Sequence, residues 1–116
     1  MVCRGIICLV LFLCAAGSVF AAERLRFWNL TSVTLKELYL APAGTTQWGA
    51  NQCKNDKDGT VDHDERLTIT GISPGKYDVK LADKKGRVCI VQNVDVVSGR
   101  PYAFSLSDKD LTSCTK

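Results

Sequence analysis

Between Arg24 and Leu106 the apolar side chains recur in twos, in short runs broken by glycine, proline and asparagine. Leu25 and Phe27 alternate with Arg26 and Trp28, and Leu67 and Ile69 with Arg66 and Thr68. Tyr77, Val79 and Leu81 alternate with Asp78 and Lys80, which are expected to stay in water; Tyr102, Phe104 and Leu106 make a last strand. A period of two points one face of an extended strand inward and the other outward. No stretch of useful length carries the helical period. A further strand is expected over 34–40, where Leu35 and Leu38 break the alternation and predict a bulge. The long apolar run 88–97 is interrupted by Gln92 and Asn93, a bend or crossover. Pro74-Gly75 predicts a type II turn, with proline presetting φ and glycine accepting a positive one. A hairpin turn is predicted over 83–87. These short strands and turns predict an all-β fold, a small antiparallel β-sandwich of immunoglobulin-like or transthyretin-like build.

The segment before this pattern reads as an export leader. Arg4 gives a basic start, Ile6 to Leu13 are apolar, and Val19-Phe20-Ala21 suits signal peptidase, so cleavage is expected after Ala21. The apolar run is short for a hydrocarbon layer of about 30 Å, so no membrane span is expected once the leader is gone. Removing 21 of 116 residues leaves 95, enough for one domain over 22–116. Its 14 Lys and Arg against 12 Asp and Glu are interspersed, and no basic stripe suggests nucleic acid. The expected location is periplasmic or secreted.

Cys3, Cys8 and Cys14 leave with the leader, and Cys53, Cys89 and Cys114 remain. Three cysteines in an oxidising compartment predict one bridge and one leftover thiol, or a link between chains. Pairing Cys53 with Cys89 is preferred, because it would pin a long connection to the central sheet; Cys89 with Cys114 is the alternative. No CxxC pair points to thiol–disulfide exchange.

That connection, residues 41–64, holds Trp48, Cys53 and an acidic run, and its tryptophan and cysteine argue for an ordered loop. Asp56, Asp58, Asp62 and Glu65 around Gly59 are candidate ligands for Ca²⁺, a hard cation that takes several oxygens from one loop. An EF-hand register is opposed by Lys54 at the first ligand position and by strand-like flanks. The ordinary reading is a solvated turn, its charge offset by Lys54, Lys57 and Arg66. His63 between two aspartates is a conceivable general base for a small hydrolase. No nucleophile motif accompanies it, and an enzyme is not expected. Tyr39 and Trp48 are candidates for an interaction surface, against the commoner use of aromatics in packing. Asn29-Leu30-Thr31 fits a glycan acceptor pattern.

Leu38-Tyr-Leu-Ala-Pro42 followed after five residues by Trp48-Gly49 resembles a family of small exported bacterial proteins, most of them uncharacterised. The stretches 48–53, 61–67 and 74–79 are similar to one proteobacterial branch of it, so the resemblance covers most of the chain past the leader. It implies a periplasmic β-sandwich and carries no established site. Gly71 to Val79 is also similar to the Pro-Gly-x-Tyr turn and strand of transthyretin-like and carboxypeptidase-regulatory-like domains, which bears on fold alone. The expected function is a non-catalytic interaction or accessory module that contacts another exported protein, with no cofactor. A calcium-binding structural or sensing protein is the alternative.

Overall fold

The computed structural model describes residues 24–115; the leader expected over 1–21 lies outside them. Seven strands follow in order: β1 (Leu25–Leu30), β2 (Leu35–Pro42), β3 (Arg66–Ile69), β4 (Gly75–Asp83), β5 (Val88–Val96), β6 (Phe104–Ser107) and β7 (Cys114–Thr115). They form a three-stranded sheet, β3-β1-β6, and a four-stranded sheet, β2-β4-β5-β7. The chain is the small all-β sandwich that the alternation predicts. One ladder departs from antiparallel pairing: β1 runs parallel to β6, with Phe27 opposite Phe104.

The core lies between the sheets and is built from the inward positions of the alternating runs. Leu25, Phe27, Leu67, Ile69, Phe104 and Leu106 come from one sheet, and Leu38, Leu40, Val79, Leu81 and Val96 from the other. The rings of Phe27 and Phe104 lie 4.9 Å apart, a tilted aromatic pair at the parallel ladder.

Two bulges adjust the four-stranded sheet. The register of β2 against β4 shifts between Leu35 and Glu37, where the broken alternation predicts it, and this lets both Leu35 and Leu38 face inward. The second shift, between Tyr77 and Val79, lies opposite Gln92 and Asn93. Asn93 takes a left-handed φ of 56°, so β5 bends there without ending. This bulge corrects the expectation for Asp78, which is buried. Its carboxylate accepts the Asn93 N–H at 3.0 Å and the Gly44 N–H at 3.0 Å, donors released by the bulge and by the turn after β2. The type II turn at Pro74-Gly75 is not formed either. The left-handed residue is Gly71, with φ 72°, and Gly75 is already the first residue of β4. The hairpin between β4 and β5 is as expected, with Gly86 at φ 92° and Asp83 Oδ1 accepting from the N–H groups of Lys85 and Arg87.

The disulfide joins Cys89 to Cys114, and the preferred pairing of Cys53 with Cys89 is corrected. The polar tail is structured. A 3-10 turn at Asp108–Asp110 brings β7 back against β5, and Cys89 and Cys114 then sit opposite one another in that ladder. Cys53 is the free cysteine among those described. It is buried in the 3-10 turn Gln52–Asn55, and the connection around it is held by hydrogen bonds instead of by a bridge. A bridge of 25 residues' separation is worth about 3 kcal/mol through the unfolded state.

Asn29 is fully buried, and its amide organises the turn between β1 and β2. Nδ2 donates to the carbonyls of Val33 and Val61, both at 3.0 Å. Oδ1 accepts from the Thr31 N–H at 2.9 Å and from the Thr31 hydroxyl at 2.6 Å. Its backbone pairs with Glu65 O and Asp64 N. The apparent glycan acceptor is thus an interior residue whose amide is fully satisfied. Replacing Asn29 with Ala removes four buried hydrogen bonds and leaves the Thr31 N–H without its acceptor, and is expected to lower stability by about 3 kcal/mol in urea denaturation. Thr31→Val should cost about 1 kcal/mol, and an Asn29→Ala variant as stable as the parent would contradict this role.

Candidate functional site

A β-sandwich with two open sheets has four edges, and exposed edges invite strand pairing. The connection 43–64 closes two of them on one side of the molecule. Along β2, the Leu38 N–H donates to Asn51 Oδ1 at 3.0 Å, Gly49 N–H donates to Leu40 O, and Val61 and Leu35 form a mutual bridge. Along β3, Gln52 Nε2 donates to Thr70 O at 2.9 Å and Oε1 accepts from Thr70 N–H at 3.0 Å. Asn55 Nδ2 donates to Thr68 O at 2.8 Å. Side-chain amides here take the place of a neighbouring strand. The amides of Asn51, Gln52 and Asn55 read as ordinary loop polarity in the sequence, and nothing in their spacing marks them as edge caps.

The opposite side is open. β7 pairs only with Val88 and Cys89 of β5, and a further bond runs from Ile90 N–H to Ser113 O. Beyond this, residues 91–96 have β4 on one side and no strand on the other among the described residues. β6 is likewise the edge of its own sheet. Two cavities flank this side. One, of about 620 Å³, lies between Ile90–Gln92 of β5 and Thr112–Thr115 of the tail. The other, of about 400 Å³, is lined by Val94, Asp95, Val97, Arg100 and residues 102–105.

The two sequence-predicted aromatics meet on the outer face of the four-stranded sheet. Lys80 Nζ lies 5.1 Å from the Tyr39 ring and 4.9 Å from the Trp48 ring, a cation held between two π faces. The Tyr39 hydroxyl donates to Glu37 Oε1 at 3.0 Å. Burial, with that carboxylate, raises the phenol above its ordinary pKa. Across the sheet Lys80 pairs with Ile90, which is 38 % exposed and stands out among large apolar side chains. The aromatic pair, Lys80 and Ile90 thus form one row that ends at the open edge.

Scanned against protein-family models, curated proteins and solved structures, the chain finds no match.

The acidic residues do not converge. Asp56 Oδ2 accepts from the Asp58 N–H, Asp62 Oδ1 from the Thr34 hydroxyl, and Glu65 Oε1 from the Asp62 N–H. Among the described residues no group of three or more His, Cys, Asp or Glu side chains is arranged to hold a metal ion. Asp64 instead accepts the Trp28 indole N–H at 2.9 Å. His63 Nδ1 lies 2.8 Å from Thr31 O and donates to that carbonyl, an orienting contact for an exposed ring.

Cys53 is the one nucleophilic side chain whose chemistry the fold changes sharply. Burial, reinforced by Asp56 and Glu37, pushes its thiol from 9.0 up to about 12. The thiolate is the reactive form, so the fold suppresses alkylation and exchange. The folded state holds this proton more tightly than the unfolded chain does. Its contribution to stability is therefore complete below pH 9.0 and lost as pH rises towards about 12. Iodoacetamide at pH 8 is expected to leave native Cys53 unmodified and to label it in urea. Cys53→Ala should flatten the alkaline loss of stability, and rapid native labelling would refute the assignment.

Proposed function

We propose that this protein is an exported, non-catalytic binding module that takes up an extended segment of another exported protein along the open side of its sandwich. One observation carries the reading: residues 91–96 of β5 have a ladder on one side only, beside two cavities, while the β2 and β3 edges are sealed. An edge with free backbone groups binds an added strand through main-chain hydrogen bonds, and neighbouring cavities take alternate side chains. Ile90 and the Tyr39–Lys80–Trp48 cluster extend this surface onto the outer sheet face.

A peptide library panned against the protein should yield extended sequences with alternating apolar residues. In amide NMR titrations their shifts should concentrate on 91–96 and 104–107. Absence of binders, or shifts confined to the sealed 43–64 side, would refute the reading.

Export is supported by the leader pattern and by a disulfide that suits an oxidising compartment. Terminal sequencing of protein recovered outside the cytoplasm should begin at Ala22. A product that retains Met1 would oppose it.

A further inference from the structure

Four arginines from three distant parts of the chain line one open cavity of about 390 Å³ with Pro101: Arg24 and Arg26 beside and within β1, Arg66 on β3, and Arg100 in the turn before β6. Arg26 and Arg66 stand on the outer face of the three-stranded sheet, and Arg100 also borders the cavity beside β5. No carboxylate lines the cavity, and none of the four is in an ion pair among the described residues. In a chain whose formal net charge is only +3, gathering four guanidinium groups is locally repulsive, and a bound anion would relieve it.

Part of the site is pre-ordered. Arg66 lies over the Trp28 ring at 4.4 Å. Trp28 is fixed in turn by its indole bond to Asp64 and by Tyr102 at 5.1 Å. A stacked guanidinium keeps its planar fork of donors free, and that fork matches the oxygens of a phosphoryl group two at a time. We infer that this cavity binds a compact, multiply charged phosphoryl group. Ile90, the exposed large apolar side chain among the described residues, belongs to the other sheet. Recognition at the arginine face therefore rests on charge and hydrogen bonding, without apolar insertion. Such a group comes either from a soluble phosphate compound or from a lipid headgroup.

Calorimetric titration with inorganic pyrophosphate, and flotation with phosphatidylcholine vesicles with or without phosphatidic acid, whose phosphomonoester can carry two charges, separate the two sources. Saturable binding of pyrophosphate, of the anionic vesicles alone, or of both is expected, weakening as salt rises. Arg26→Gln with Arg100→Gln should weaken it at least about tenfold while the melting temperature stays unchanged, since both side chains are exposed. Arg66→Lys, which keeps the charge and loses the fork, should also weaken it. Binding to neither probe overturns the inference. So does binding that the double variant leaves intact, or binding to an oligonucleotide but to neither probe.

Discussion

Both hydrogens and both acceptor positions of the Asn29 amide are committed inside the protein, and the two sheets are tied together through those bonds. Asn29 belongs to β1 in the three-stranded sheet. Val61, one of its acceptors, bridges to Leu35 of β2 in the other sheet. A buried amide costs free energy wherever one of its groups lacks a partner, so this site tolerates one arrangement of the surrounding backbone. That arrangement sets where β2 starts and where the 43–64 connection ends. Ser32, next in the same turn, donates its N–H and hydroxyl to Asp108, which ties the tail to the same corner and holds that carboxyl below its usual range.

The two sides of the sandwich are consequently unlike. On one side, side-chain amides in and just before the 3-10 turn of the 43–64 connection satisfy the edges of β2 and β3. On the other, β7 is two residues long and leaves most of β5 uncovered. Sealing by side chains has a structural advantage over sealing by a strand. It closes edges in two different sheets at once, because Asn51 reaches β2 while Gln52 and Asn55 reach β3. Buried Cys53 lies in the same short 3-10 turn and anchors it without a covalent link.

Most of the strands were legible because burial on one face imposes a period of two that survives in the sequence. Leu25 and Phe27, Leu67 and Ile69, and Phe104 and Leu106 all face inward as that period requires. The same period assigns Asp78 to water, and it is the bulge at Asn93 and the turn after β2 that supply the donors letting it be buried. The cysteine pairing is not legible because β7, with two residues, is too short to leave a pattern, and without it Cys114 looks like a loose end. The site was less legible than the fold. Tyr39 and Trp48 could be singled out as aromatics, but their meeting at Lys80 depends on strand register. The arginine cavity draws on residues 24, 26, 66 and 100, and no local count of charge brings these together. Asn29 was hidden for another reason: its tripeptide has a second, better-known meaning at a protein surface.

The parallel ladder between β1 and β6 joins the first strand to the sixth, across nearly the whole domain. The middle strand of that sheet therefore lacks one neighbour until the last part of the chain is available. Contacts between such distant segments form slowly, because a long loop must close before any of them is gained. Closure of the interior between the two sheets therefore waits until β6 is available to pair with β1.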